Sequence, residues 1–199
     1  NGIVGGGIPL VVGAAYAHQR QSNRRVSVAF FGDGAVNQGA FHESLNLACL
    51  KRLPVIFVCE DNGLAIHSPA KDRHAHPPIE ELARLYPCET AFSESTLAQE
   101  VYDLTRDARA RASRAGRPLF LHLRCYRYLE HVGIGEDFEA GYRSREEFKR
   151  WQERDPVLLQ RRHLARELPE EAIRKLEETV DRQIAASIAF AESSPFPDP

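Results

Sequence analysis

The chain has 199 residues, of which 43% are hydrophobic and 27% charged, and its net charge is −2. This length suits one α/β domain with a helical extension. Because acidic and basic residues are interspersed, nothing in the charge pattern indicates a nucleic-acid-binding face. No apolar run approaches the roughly 18 residues that a membrane span needs.

The cysteines and the first residue of the sequence lead to expectations about the cellular compartment of the protein and about whether the sequence is a whole protein. The four cysteines lack the spacing of a metal or redox motif, and we expect them to be reduced structural thiols. With no signal-peptide pattern, a cytoplasmic location is expected. The sequence begins at Asn1 within a motif and contains no methionine, which predicts a truncated portion of a longer protein.

The first sixty residues predict a strand, loop, helix, strand unit. Residues 1–7 are glycine-rich and predict a loop, after which Pro9 starts a helix that runs to Gln21. The apolar runs 26–31 and 55–59 predict buried strands, and residues 39–51 carry apolar side chains on a helical period. We expect parallel strands with a right-handed crossover, so that both following loops lie at the carboxyl edge of the sheet.

The rest of the chain predicts further sheet and then helices. We expect a polar loop with a short helix (69–87), a degenerate strand (88–95), a helix (97–115), a strand (119–125), an aromatic loop (126–142) and helices from 145 onward. The fold class is α/β, a parallel sheet flanked by helices with a C-terminal helical extension. The predicted domains are 1–144 and 145–199.

Polar residues follow the first two predicted strands. Gly32 and Gly34 would let backbone amides approach an anion beside the next helix, and Asp33 lies between them. A carboxylate among anion-facing amides makes sense if a cation lies between. Asn62, 29 positions after Asp33, adds an amide oxygen and neighbouring carbonyls. Such hard oxygen ligands predict a Mg²⁺-bridged diphosphate site.

Three other types of site have only partial signals in the sequence. A dinucleotide fingerprint would need a third glycine where Asn37 stands, and a P-loop would need a Gly-Lys-Ser/Thr that this segment lacks. Asp72, His74 and His76 lie close together, but their spacing is not a common zinc pattern, so an exposed loop is expected there.

Four motifs resemble one protein family. Gly-Asp-Gly followed by a distant Asn is similar to the thiamine diphosphate signature, and the fuller string GDGAVNQGAFHESLN at 32–46 resembles E1 α subunits of the pyruvate, acetoin and branched-chain 2-oxo acid dehydrogenase complexes. GIVGGGIPL at 2–10, YRYLEH at 126–131 and GYRSREE at 141–147 match the same branch in the same order. The resemblance implies a thiamine diphosphate-binding fold, thiamine diphosphate and Mg²⁺ as cofactors, and a chain that lacks about a hundred preceding family residues.

The resemblance also implies roles for particular residues. It places Gly2 by its backbone and Val4 by apolar contact against the cofactor, and the amides of Gly34 and Ala35 on the diphosphate. The metal ligands would be Asp33, Asn62 and the carbonyl of Leu64. A leucine stands at position 64 where the family often has an aromatic residue, and it keeps the carbonyl.

His131 matches the loop histidine that reaches the cofactor diphosphate and the reaction space in the family. Val132 stands where pyruvate-type members carry a phosphorylatable serine, so phosphorylation at that point is not expected. Glu130 and Gly133 also differ from the pyruvate type, and the substrate need not be pyruvate.

The implied activity needs other chains. The resemblance implies decarboxylation of a 2-oxo acid and transfer of the acyl unit to a lipoyl-type carrier domain. It also implies a β-type E1 subunit that binds the aminopyrimidine, in an α2β2 assembly, with the isolated chain inert. The alternatives are a split transketolase-like transferase of a C2 ketol unit, a degenerate scaffold subunit, and more distantly a dinucleotide-binding oxidoreductase.

Overall fold

A four-stranded parallel sheet lies at the centre of the chain. The computed structural model describes residues 2–75 and 78–197. Their strands are β1 (Ser27–Gly32), β2 (Val55–Asp61), β3 (Leu64–Ala65), β4 (Ser68–Pro69), β5 (Glu89–Ser93) and β6 (Leu119–Arg124). The large sheet has the order β1-β2-β6-β5, and β3 and β4 form a separate antiparallel hairpin. The predicted parallel α/β architecture is therefore confirmed.

Helices connect the parallel strands and cover the sheet. They are α1 (Gly7–Arg20), α2 (Gly39–Lys51), α3 (Ile79–Arg84), α4 (Ala98–Ala115), α5 (Arg145–Gln152), α6 (Pro156–Leu164) and α7 (Glu170–Ser193). α2 joins β1 to its neighbour β2, and α4 joins β5 to its neighbour β6. The described helices include none with the length and apolar character to cross a lipid bilayer.

One face of β1 is not buried, against the prediction of a fully buried strand. Ala29 and Phe31 belong to the main core, where the Phe31 ring lies 5.6 Å from that of Phe41 on α2. Val28 and Phe30 point the other way and are 40% and 69% exposed. The physical reason is that β1 is a sheet edge, whereas Ile56 and Val58 of β2 pack against α4 residues on that face.

The described residues divide into two compact units. Residues up to Arg154 form the first, which contains the sheet and α5, and residues from Asp155 onward form the second. In the first, the hydroxyl of Ser144 caps α5 by accepting from the Glu147 amide. In the second, the Asp155 carboxylate caps α6 by accepting from the amides of Val157 and Leu158. The domain boundary expected after residue 144 stays a prediction.

Candidate functional site

Three strands deliver their polar ends to the same edge of the sheet. In the parallel register Gly32 lies beside Glu60, and Asp61 lies beside Arg124. Asp33 follows β1 directly and Asn62 follows β2 directly. Both residues therefore lie at the carboxyl edge, where open α/β sheets bind ligands.

Asp33 begins a 3₁₀ turn (Asp33–Asn37) and is 1% exposed. Its Oδ2 forms an ion pair with the Arg73 guanidinium, and the side-chain Nδ2 of Asn37 donates to the backbone carbonyl of Arg73 over 2.8 Å. Burial raises the pKa of Asp33, the nearby Asp61 adds to this, and Arg73 opposes it. The positive charge of Arg73 thus stabilises the ionised form of the buried Asp33 carboxyl. A metal ion would have to share it with, or displace, Arg73.

Gly34 allows the 3₁₀ turn to approach the β3–β4 hairpin. A Cβ at Gly34 would lie 2.9 Å from Cβ of Ala65, which is closer than carbon atoms pack. The absence of a side chain at this position therefore places the turn directly against the segment that follows Asn62.

Gly34→Ala is expected to lower the free energy of unfolding by ~1–3 kcal/mol, because the hairpin must shift to admit the methyl group. Urea denaturation measures this. Gly39→Ala is the matched control, since its Cβ would come no nearer than 3.9 Å to any atom beyond its chain neighbours and the backbone of its own helix. The double variant Gly34→Ala/Ala65→Gly should recover most of the loss. Equal effects of the two single variants would contradict the close approach.

Asn62 lies in a turn held by two side-chain hydrogen bonds. The Gly63 amide donates to Asp61 Oδ1 over 2.8 Å, and the Leu64 amide donates to Asn62 Oδ1 over 2.9 Å. Gly63 has a φ of +76°, a conformation that glycine adopts readily. Leu64 then starts the hairpin opposite Pro69. The turn holds the backbone carbonyls and the Asn62 carboxamide at the edge that also carries Asp33.

The glycine-rich segment before α1 lines a pocket beside this edge. Ile3 and Val4 share a pocket of about 280 Å³ with Gly32 and Ala35. Gly2 is exposed, and among the described residues beyond its chain neighbours no atom lies within 4 Å of the position that its Cβ would take. Val4 and Ala35 are thus brought together, and the pocket combines apolar side chains with the start of the 3₁₀ turn.

The loop that carries His131 is tied to the hairpin by Arg127. One Arg127 nitrogen, Nη1, donates to the carbonyl of Ile66 over 2.9 Å and lies 3.5 Å from Nδ1 of His131. The other, Nη2, donates to the Tyr142 hydroxyl over 2.8 Å. His131 itself is exposed. Arg127 therefore connects the predicted loop histidine to the segment that follows Leu64.

Sequence reasoning missed a buried polar cluster behind the Asn62 turn. Asp61 is 5% exposed, and its Oδ2 lies 2.8 Å from Nε2 of His122 and 2.7 Å from Nη1 of Arg124. Burial raises the pKa of Asp61, but the bond from His122 and the charge of Arg124 outweigh it and lower the pKa to about 2. The signal in the sequence was the alternation of apolar residues with His122 and Arg124 along β6.

Two further sequence predictions concern the segment after the hairpin. Asp72 is exposed in a 3₁₀ turn (Ala70–Asp72), and Arg73, which sequence reasoning also missed, follows it. His76 lies outside the described residues, so the expectation of an exposed loop with no zinc site at Asp72, His74 and His76 stays a prediction.

Known proteins resemble this chain over its whole length. The family described as Dehydrogenase E1 component matches residues 1–199. The chain is 36% identical to the alpha subunit of acetoin:2,6-dichlorophenolindophenol oxidoreductase of Bacillus subtilis, over 99% of this chain and 59% of that protein. It is 34% identical to the pyruvate dehydrogenase E1 component subunit alpha of Zymomonas mobilis, over 99% and 55% respectively. The chain thus spans less than two thirds of the length of these relatives.

Solved structures agree on the fold. A Mycobacterium smegmatis protein assigned as a thiamin diphosphate-dependent enzyme superposes with a TM-score of 0.50 and 28% identity, over 63% of this chain and 23% of that one. A transketolase from Leishmania mexicana superposes with a TM-score of 0.54 at 20% identity, over 62% and 20%, which concerns the fold alone. With its parallel sheet and its match to the family from the first residue to the last, the chain belongs to the dehydrogenase E1 component family.

Proposed function

We propose that this chain is the diphosphate- and Mg²⁺-binding half of a thiamine diphosphate-dependent E1-type enzyme, which decarboxylates a 2-oxo acid and passes the acyl unit to a lipoyl-type carrier domain. The observation that carries the proposal is the placement of Asp33 and Asn62 at the ends of adjacent parallel strands in a member of the E1 family. All four cysteines are free thiols, which supports a reducing compartment, the cytoplasm.

The oxygen donors at the sheet edge fit a magnesium ion. The Asp33 carboxylate, the Asn62 amide oxygen and the Leu64 carbonyl are the hard ligands that Mg²⁺ takes, and it commonly shares them with phosphate oxygens and water. Asp33 is buried next to a second carboxylate, Asp61, so a divalent cation would relieve their repulsion. In the proposal the amides of Gly34 and Ala35 hold the diphosphate, and the backbone of Gly2 and the side chain of Val4 contact the rest of the cofactor.

The cofactor, when bound, supplies the carbanion chemistry that splits a 2-oxo acid. The residues of this chain bind and orient it. The pocket of Ile3, Val4 and Ala35 places apolar side chains next to the charged edge.

In the proposal His131 acts at the reaction space and holds a proton on Nε2. Its Nδ1 faces a nitrogen of Arg127, which is always a donor, so Nδ1 serves as the acceptor. In the neutral imidazole the proton then resides on Nε2, the atom that can donate to a carboxylate or phosphate oxygen.

The proposed active site needs a second chain. The described residues contain one parallel sheet, and the aminopyrimidine would bind a second α/β domain on a β-type E1 subunit, as in an α2β2 assembly. The carrier domain would meet the site at the same interface. In the proposal the substrate is a small-molecule 2-oxo acid, and the acyl acceptor is the disulfide of a lipoyl group.

The test is reconstitution with a β-type subunit. We expect no decarboxylation of pyruvate or branched 2-oxo acids by the chain alone, and both decarboxylation and Mg²⁺-dependent thiamine diphosphate binding by the assembled chains. Calorimetry and a carbon dioxide assay measure the two effects. Decarboxylation by the lone chain at the rate of the complex would contradict the shared site. Turnover of hydroxypyruvate or a ketose phosphate instead would identify a transketolase-like enzyme, and no cofactor binding in the complex would identify a scaffold subunit.

A further inference from the structure

A buried histidine connects three elements behind the Asn62 turn. His122 on β6 is 3% exposed, and its two ring nitrogens face carboxylates on different elements. Nε2 lies 2.8 Å from Asp61 Oδ2 on β2, and Nδ1 lies 3.0 Å from Glu80 Oε2 on α3, within ion-pair distance but without the alignment of a hydrogen bond. The Phe92 ring of β5 covers the imidazole at 5.1 Å.

His122 is one of the hydrogen-bond donors that occupy the two carboxylate oxygens of Asp61. A carboxylate only accepts hydrogen bonds, so Nε2 of His122 is the donor to Asp61 Oδ2. Arg124 donates to the same oxygen over 2.7 Å. The other oxygen, Oδ1, accepts from the Gly63 amide over 2.8 Å. Both oxygens of Asp61 are therefore engaged, one by β6 and the other by the turn that carries Asn62.

Through Asp61, the position of β6 constrains the position of the turn that carries Asn62. Without His122, Asp61 would keep the Gly63 amide on Oδ1 and Arg124 on Oδ2. Arg124 is a third exposed, and its long side chain constrains the carboxylate less than a buried ring does. The imidazole, packed under Phe92 and facing Glu80, has little freedom to turn. It fixes the plane of the Asp61 carboxylate and thereby the direction of the Gly63 amide.

We propose that His122 is a positioning residue that acts through Asp61 to hold the Asn62 and Leu64 oxygens in their place at the sheet edge. The Glu80 carboxylate on α3 lies against the other ring nitrogen and limits the room in which the imidazole can turn. The consequence for metal binding rests on the proposed function, whereas the effect on the turn does not.

The test compares His122→Leu with His122→Gln. Gln retains a donor near the position of Nε2 and serves as the conservative rescue, while Leu fills the volume without a donor. Amide hydrogen exchange at Gly63 and Leu64 is the direct readout. Since a hydrogen bond to a charged group contributes enough to change an opening equilibrium by about tenfold or more, we expect about tenfold faster exchange in His122→Leu, with His122→Gln staying within about twofold of the unmodified chain.

A second variant covers the case in which His122→Leu does not fold. Glu80 is 29% exposed at its side chain, and Glu80→Ala should fold and raise exchange at the same two amides by about threefold, because the imidazole loses one of the two carboxylates that confine it. If His122→Leu does not fold, unchanged exchange in Glu80→Ala overturns the proposal. If it folds, unchanged exchange in His122→Leu overturns it, and so does an equal rise in His122→Gln, which would indicate a packing effect.

In the complex with a β-type subunit, the Mg²⁺ concentration for half-maximal thiamine diphosphate binding should rise about tenfold in His122→Leu and little in His122→Gln. If the unmodified complex binds no cofactor, the proposed function fails while the exchange result still decides the role of His122.

Discussion

Asp33→Asn is expected to abolish Mg²⁺-dependent thiamine diphosphate binding by the assembled chains. The substitution keeps the size of the side chain but removes the negative charge that would neutralise the metal. Loss of a residue that only orients a metal ligand costs about 10- to 100-fold in affinity, so loss of the ligand itself should cost at least about 100-fold. Isothermal titration of the cofactor at several Mg²⁺ concentrations measures the change.

Asp72→Asn is the matched control for this measurement. Asp72 lies next to Arg73, the partner of Asp33, but is exposed on its 3₁₀ turn. Its substitution should leave the cofactor affinity within about twofold, because an exposed charge is screened by water and salt. Equal binding by Asp33→Asn and the unmodified complex would show that the metal, if present, is held elsewhere.

Asp61→Ala is expected to lower the free energy of unfolding by ~3 kcal/mol at neutral pH. The substitution leaves His122 buried without its acceptor and removes the partner of Arg124 and of the Gly63 amide. Breaking a buried charged pair from one side typically costs about 3–5 kcal/mol, and the partial exposure of Arg124 places this case at the lower end. Urea denaturation measures the difference. Glu60→Ala is the control, because Glu60 is the exposed neighbour on the same strand and should change stability by less than about 0.5 kcal/mol.

The effect of Asp61→Ala should shrink in acid. The pKa of Asp61 is lowered from 3.8 to about 2 in the folded chain. A carboxyl with a lowered pKa stabilises the fold above its unfolded pKa, and this contribution disappears as the pH falls through the folded value. About 2 kcal/mol of the difference between the two proteins should therefore be lost between about pH 4 and pH 2. A difference that stays constant over this range would argue against a charged Asp61 in the buried cluster.

Much of the sheet was predictable because its signals are local. The apolar runs at 26–31, 55–59 and 119–125 each lie within one residue or two of a strand, and α4 follows its amphipathic pattern almost to the residue. The hairpin of β3 and β4 was missed, since two-residue strands carry no periodicity. The end of β2 was predicted two residues too early, which left Asp61 outside the strand and hid its pairing with Arg124.

The structure supports the positions of some predicted site residues but does not test their roles. Asp33 and Asn62 were expected at one edge of the sheet, and the parallel register of β1 and β2 puts both there. Their ligand roles, with those of Leu64 and His131, stay predictions. Arg73 was not singled out at all, because its partner lies 40 positions earlier and no local pattern connects the two residues.

The sequence by itself determined the alternation of strands and helices and the two polar turns that follow β1 and β2, since apolar periodicity and glycine placement act over a few neighbouring residues. Only the tertiary structure decided which strands adjoin. The order β1-β2-β6-β5 places His122 beside Asp61 across 61 positions and brings Glu80 to the same ring, while it leaves Val28 and Phe30 uncovered on the edge strand. These contacts depend on strand order and helix docking, which arise from burial of the whole core and not from any one segment.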